Sequence, residues 1–386
     1  MAVLIWLLLL FSSYLFYPFL MKILAERRSI TRYSYYDKKD SLPEIAIMMA
    51  VHNEEKVLHH KLSSIFDGSY DLNRLHLYVG LDNCSDASIE IVQAFRQKYP
   101  SQINYVQTQR LGKPQVLNLL MREFNPSSDL TVFTDANVMF TEDTLYELAK
   151  YFKTSQMGLV DSKFMLSREV ISHEMENEYL SFEQKLKYNE GIVWGTMQGP
   201  FGGCFAIRTE LFVPIPENFL VDDFFTGMEV MRQGYYAILN PQAIVIEEVH
   251  TSWQEEYRRK QRISAGNFQN LNYFSSILLK PFTALSFSWF FHKVLRWILP
   301  VLLLPVFLLS FIEYLCFGYG FWLSIITLIL IIGVVMSLYL LQRLNLHSRT
   351  IERLSYFIYI NLALVQGFII YIKGIQSNVW KPTQRK

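Results

Sequence analysis

Apolar and polar positions divide this chain into three regimes. The first, AVLIWLLLLFSSYLFYPFLMKIL, carries no charge through Met21. That run is long enough to cross a hydrocarbon core of about 30 Å. In the second regime, 42–275, short apolar runs alternate with amphipathic stretches. IAIMMAV (45–51) and LHLYVGL (75–81) have strand character, and EEKVLHHKLSSIF between them sets Val57, Leu58, Leu62 and Ile65 at helical spacing. The alternation continues through SIEIVQAF (helix), INYVQ (strand), PQVLNLLMREF (helix), LTVFTDA (strand) and TEDTLYELAKYF (helix). Thr141, Asp143 and Thr144 offer that last helix a capped start. Strand–helix–strand order predicts an α/β domain with a mainly parallel sheet and helices on both faces.

The third regime holds LRWILPVLLLPVFLLSFIEYLC, GFWLSIITLILIIGVVMSLYLL and SYFIYINLALVQGFIIYIKGI, which read as three further spans. The domains expected are an anchor at 1–24, a soluble domain at 42–275, an interfacial segment at 276–294, about three transmembrane helices at 295–375 and a polar tail at 376–386. The first span lacks the basic start, short apolar centre and small-residue cleavage site of a signal peptide, so it reads as an uncleaved anchor. Lys22, Arg27, Arg28 and Arg32 follow it, which puts the soluble domain in the cytoplasm of an integral membrane protein. Lys293 and Arg296 mark one cytoplasmic boundary, and Arg343, Arg349 and Arg353 another. Three C-terminal spans then leave Lys373, Lys381, Arg385 and Lys386 outside, against the positive-inside rule. Either the tail is an exception or one segment does not cross. SSILLKPFTALSFSWFFHKVL suits a helix in the headgroup plane, with a buried helix of the soluble domain as the other reading.

Composition narrows the partners. The formal net charge of +1 gives no electrostatic basis for binding nucleic acid. Cys84, Cys204 and Cys316 lie far apart, with no metal-ligand spacing and no even disulfide framework, consistent with reduced cytoplasmic thiols.

Ligands of parallel α/β sheets sit beyond the carboxyl ends of the strands, and polar residues cluster there. His52, Asn53, Glu54 and Glu55 close the first strand; a nucleotide-facing turn and a plain helix start capped by Asn53 both fit. Asp82 in GLDNCSD is either a ligand contact or turn chemistry. Gly112 and Lys113 open a helix, a natural place for an anionic group. Asp135 and Asn137 in FTDANV could share a hard cation with diphosphate oxygens, or form an Asp/Asn turn. Neither GxGxxG nor GxxxxGK[ST] occurs at these turns, which disfavours Rossmann and P-loop readings. GPFGGCF (199–205) is either an acceptor-site wall or a glycine-rich turn, and His250 either reaches a metal or is a packed or surface residue. Further on, NFLVDDFFTGMEV sets Asp222 and Asp223 amid apolar side chains, a costly placement unless the carboxylates are bonded, paired or in a site.

In order, VHNEE, GLDNCSDAS, GKPQVLN, FTDANV, GPFGGCFAIR, FLVDDFFTGMEVMRQGY and RRKQRISAGNFQ resemble the family-2 glycosyltransferases of GT-A fold, and among them the membrane-bound branch with hydrophobic C-terminal segments. The likeness covers about 42–275. It implies a nucleotide-sugar donor, usually UDP-linked, held by His52, Asn53, Glu54, Asp82, Gly112 and Lys113. It also implies a divalent cation, Mg2+ or Mn2+, at Asp135 and Asn137. The family's Glu-Asp falls on Asp222 and Asp223, the second being the catalytic base. The diphosphate motif falls on RKQRI, with Arg259 and Arg262 three residues apart on one side of a helix; a solvated charge run is the other reading there. Two positions depart from the pattern. Asn137 replaces the second acid of DxD, and Ile263 stands where processive synthases carry Trp.

The implied chemistry is inverting transfer of a sugar to a glycan or lipid-linked acceptor at the membrane. It needs one base for the acceptor proton and positive charge at the leaving diphosphate. The rival readings are a membrane nucleotidyltransferase and a degenerate, non-enzymatic scaffold.

Overall fold

A computed structural model of the chain describes residues 2–166, 174–247, 253–318 and 349–379, with positions 322, 325, 326, 329, 333 and 336. His250 and most of GFWLSIITLILIIGVVMSLYLL lie outside the described residues. The chain divides into two compact units.

One unit comprises 21–172, 182–252 and 375–386 and is built on an eight-stranded sheet. Its strands are β1 (Ile45–Val51), β2 (Leu75–Asp82), β3 (Ile103–Thr108), β4 (Leu130–Thr134), β5 (Val138–Phe140), β6 (Met157–Leu166), β7 (Cys204–Arg208) and β8 (Tyr236–Glu247), in the order β3-β2-β1-β4-β7-β6-β8-β5. The first four are mutually parallel, and β6 pairs parallel with β8. Strand β7 runs antiparallel to β4 and β6, and β5 antiparallel to β8. This is the mostly parallel mixed sheet of the GT-A fold. Ile45 through Met49 of central β1 are wholly buried, as a strand covered on both faces requires.

The helices α1 (Ala2–Phe11), α2 (Tyr17–Ala25), α3 (Glu55–Phe66), α4 (Ser88–Lys98), α5 (Lys113–Phe124), α6 (Thr144–Ala149), α7 (Glu174–Trp194), α8 (Asp222–Arg232) and α9 (Trp253–Tyr273) follow in chain order. Val57, Leu58, Leu62 and Ile65 of α3 are all buried, as their spacing predicts. Two local expectations shift. LTVFTDA is strand only to Thr134, and TEDTLYELAKYF is an α-helix only to Ala149 before a 3-10 turn. The start of α6 is closed by Thr144, whose Oγ1 accepts the Thr141 amide at 2.8 Å.

The second unit is helical and comprises 1–20, 173–181 and 253–374. Among the described residues two helices are long and apolar enough to cross a membrane, Ala2–Ala25 and Arg353–Ile372. LRWILPVLLLPVFLLSFIEYLC is not one straight span. Ala284–Val301 and Leu303–Phe317 meet at 63°, either a broken span or a re-entrant loop. Pro300 and Pro305 flank the break, each removing a helical N–H and crowding the preceding turn. Within this unit Arg296 is buried, donating to the Ser13 carbonyl at 3.3 Å with its guanidinium over the Tyr14 ring. Segment 276–294 is divided in character. Leu279 is largely and Phe282 fully exposed, whereas Ser286, Ser288, Trp289 and His292 are buried.

Candidate active site

Because β2, β1 and β4 run parallel side by side, the turns after them share one sheet edge, which brings residues 52–55, 82–88 and 135–137 together. The first two turns are laced by hydrogen bonds. Asn53 adopts φ 55°, and its Oδ1 accepts the Ser85 amide at 2.8 Å. It is therefore a tie between turns and not the cap of α3, which starts one residue beyond Glu54. The Glu54 amide donates to Ser88 Oγ at 2.9 Å, and Glu55 Oε2 accepts the Ala87 amide at 3.0 Å. His52 Nδ1 lies 2.6 Å from the Asp82 carbonyl oxygen, which can only accept, so Nδ1 carries the proton.

Asp82 is buried, and its carboxylate organises the loop after β3. It accepts from Thr108 Oγ1 at 3.1 Å, Arg110 Nη1 at 2.7 Å, the Leu111 amide at 2.7 Å and the Gly112 amide at 2.9 Å. Those four donors account for its two oxygens. The loop ends at Gly112, whose φ of 82° is a left-handed-side conformation that favours glycine, and Lys113 begins α5.

Lys113 is the hub. Its ammonium lies 2.8 Å from Asp135 Oδ1 and 3.4 Å from Asp222 Oδ2, and donates to the Gly202 carbonyl at 3.1 Å. Burial pulls its pKa down, but the carboxylates of Asp135, Asp222 and Asp223 outweigh that and raise it. The lysine is firmly charged.

Asp222 and Asp223 form the first turn of α8, where the helix dipole favours negative charge. Asp223 Oδ1 accepts the Phe224 amide at 2.7 Å. Burial and the adjacent Asp222 push the Asp223 carboxyl up to about 6, with Lys113 opposing. The glycine-rich segment packs on this turn. A Cβ on Gly202 would lie 2.3 Å from Asp223 Oδ2, and one on Gly199 would lie 2.8 Å from the Phe224 ring. Asp135 joins the same wall, its amide donating to the Gly203 carbonyl at 3.0 Å.

Asn137 does not face outward beside Asp135. It is buried, and its Nδ2 donates to Glu247 Oε1 at 3.1 Å, an approach set by the pairing of Val138 with Glu247. Among the described residues no group of three or more His, Cys, Asp or Glu side chains could hold a metal ion. Asp135, with a side chain about one-third exposed, is the oxygen donor fit to share a hard divalent cation with a diphosphate. Arg259 and Arg262 lie on α9 in the helical unit, where Arg259 and Lys260 approach the buried Glu256 at 4.0 and 3.0 Å.

Three buried charged residues near this edge escaped the sequence. Asp161 of β6 accepts the Phe201 amide at 2.8 Å and lies 3.7 Å from Lys187; burial pushes its carboxyl up to about 7. Lys61 of α3 donates to Thr134 Oγ1 at 2.8 Å and to the Val138 carbonyl at 2.5 Å, bracketing the Asp135–Asn137 turn from below. Glu247 is the third. Asp161 lies within an apolar run, Lys61 follows His59 and His60, Glu247 precedes Glu248, and none carries a neighbouring signal of its role.

A mixed sheet of GT-A type thus carries paired aspartates and a lysine at its carboxyl edge. The family model described as "Glycosyltransferase like family 2" matches residues 43–266, more than half of the chain, and the chain belongs to that family. It is similar to "Probable glycosyltransferase YdaM" of Bacillus subtilis (strain 168), 25% identical over 280 residues, covering 68% of this chain and 64% of that one. It is also similar to "Beta-monoglucosyldiacylglycerol synthase" of Synechocystis sp., 23% identical over 305 residues, covering 72% and 62%. The matches thus span a little under two thirds of the length of these relatives. Among solved structures it resembles the mannosyltransferase PcManGT of Pyrobaculum calidifontis in complex with GDP-Man and Mn2+, with a TM-score of 0.68 at 18% identity over 96% of this chain and 99% of that one. That likeness shows the fold.

Proposed function

We propose that the protein is a membrane-anchored inverting glycosyltransferase that moves a sugar from a nucleotide-sugar, UDP-linked, to a lipid acceptor at the cytoplasmic face. The carrying observation is the convergence of Lys113, Asp135 and Asp222, with Asp223 held against Gly202 beside them. The acceptor class is supported by the relative named "Beta-monoglucosyldiacylglycerol synthase" and by the long apolar helices of this chain. Basic residues after the first span support the cytoplasmic side.

In the reaction, the acceptor hydroxyl oxygen attacks the anomeric carbon from the face opposite the phosphate. The carbon–oxygen bond to the diphosphate breaks as the new one forms, which inverts the centre. Asp223 takes the hydroxyl proton; a base with a pKa near 6 is charged at neutral pH and still basic enough to act. Lys113 places positive charge beside the leaving diphosphate. Asp222 and the 199–203 wall hold Asp223 in place. Asp135 would hold Mg2+ or Mn2+ together with diphosphate oxygens, and a bound cation would offset charge on the leaving group. Asn137 gives its amide hydrogen to Glu247, and its carbonyl oxygen is the atom it would offer a cation.

The test is purified protein in detergent, supplied with UDP- and GDP-sugars, diacylglycerol and Mg2+ or Mn2+, and read for free nucleoside diphosphate. Release of nucleoside diphosphate supports the reading. Release of pyrophosphate makes the protein a nucleotidyltransferase, and nucleotide binding without turnover of any donor makes it a scaffold.

A further inference from the structure

The segment that follows the last apolar helix belongs to the sheet-containing unit: residues 375–386 group with 21–172 and 182–252. Its described part, 375–379, is ordered locally by the Val379 amide donating to Ser377 Oγ at 3.0 Å. The Asn378 side chain lies directly on Gly112. A Cβ built on that glycine would meet Asn378 Oδ1 at 2.8 Å, its Cγ at 3.1 Å and its carbonyl oxygen at 3.4 Å. Gly112 is the residue whose amide is fixed by Asp82 and which hands the chain to Lys113. The Nδ2 atom of Asn378 is buried and has no hydrogen-bond partner among the described residues.

A buried amide nitrogen without an acceptor is uncommon in native structures, and a ligand atom can supply the missing acceptor. Here the neighbouring groups narrow the choice. Asp82 already receives four protein donors, so its carboxylate is spent on shaping the 108–112 loop. Lys113, one residue on, carries a positive charge that reaches Asp135 and Asp222. An amide donor next to it suits an anionic, oxygen-rich ligand.

We propose that Asn378 is part of the donor site, its Nδ2 donating to an oxygen of the bound nucleoside diphosphate beside Gly112. This rests on the glycosyltransferase reading and extends it to a segment outside the family match, which ends at residue 266. A second consequence concerns topology. With Asn378 at Gly112, the tail lies on the side of the sheet-containing unit, so the chain between that unit and the tail crosses the membrane an even number of times. The basic tail then obeys the positive-inside rule.

The experiment compares the full chain in detergent with its Asn378→Ala and Asn378→Asp variants, measuring UDP and GDP binding by titration calorimetry and unfolding by thermal scan. Loss of one hydrogen bond predicts about tenfold weaker binding for Asn378→Ala. Asn378→Asp keeps the shape but sets an anion against the diphosphate, so it binds more weakly still, while both melting midpoints stay near wild type. Equal affinity in all three proteins, or tighter binding by Asn378→Ala, overturns the proposal. If wild type binds neither nucleotide, the functional reading falls with it, and topology is decided separately. In sealed vesicles of a chain with Cys84, Cys204 and Cys316 replaced by serine, Ser377→Cys should react with an impermeant maleimide from the same side as Glu210→Cys. Labelling from opposite sides refutes the tail placement.

Discussion

Replacing Gly202 with alanine perturbs the proposed base without replacing it. The added Cβ would sit 2.3 Å from Asp223 Oδ2 and 2.9 Å from its Cγ. Non-bonded heavy atoms rest at roughly 3.5 Å, so the carboxylate must retreat by about 1 Å. A misplacement of that size in a reacting group reduces rate by about a hundredfold. Asp223 is only partly exposed, and its Oδ1 is anchored to the Phe224 amide, so the retreat is resisted and the strain stays local. The expected result is a kcat about a hundredfold below wild type, with donor KM and melting midpoint little changed. The assay is steady-state release of nucleoside diphosphate across donor concentrations, paired with a thermal scan. A Gly202→Ala enzyme with wild-type kcat would show that Asp223 is not the base. A collapse of the melting midpoint would show that the wall is structural.

Three further outcomes follow from the same geometry. The base must be ionised to act, so kcat/KM falls as pH drops through about 6; Asp222→Asn removes the like charge that helps raise Asp223, and its acidic limb should lie at lower pH. An unmoved limb in that variant separates the two carboxylates electrostatically. Burial pushes the Lys61 amine down to about 7, so between there and its ordinary value of about 10.4 the unfolded chain holds a proton the native state does not. Stability should therefore rise with pH across that window, and Lys61→Met should flatten the dependence of melting midpoint on pH between 7 and 9; an unchanged slope refutes the assignment. Asn137→Asp sets a second carboxylate against Glu247 in a buried contact, so its melting midpoint should drop in chelator and recover with Mn2+; recovery absent at saturating Mn2+ means the turn does not take a cation.

Much of the sheet was legible because strands and helices of 42–275 obey clean periods, and α3 buries the four residues its spacing marks. The turns at the sheet edge were legible for a related reason. A polar residue directly after a buried strand leaves the core there, toward solvent or toward a ligand. What remained hidden is long-range. Asn53 reads as a helix cap until Ser85, thirty-two residues away, claims its carboxamide. Asn137 reads as half of an outward-facing pair with Asp135, and only the pairing of β5 with β8 reveals Glu247 at its amide nitrogen. Lys61, Asp161 and Asn378 carry no local pattern at all. Hydropathy also hides backbone breaks, since Pro300 and Pro305 leave the composition of 295–316 apolar while bending the helices by 63°.

The central claim is that Asp223 receives the acceptor proton during transfer from a nucleotide-sugar. The most direct measurement is release of nucleoside diphosphate by wild type and by Asp223→Asn, with donor binding measured on the same preparations. The account predicts turnover by wild type with at least one UDP-sugar, and loss of turnover by at least a hundredfold in Asp223→Asn at nearly unchanged donor affinity. Normal turnover by Asp223→Asn, or no release from any donor by wild type, would contradict it.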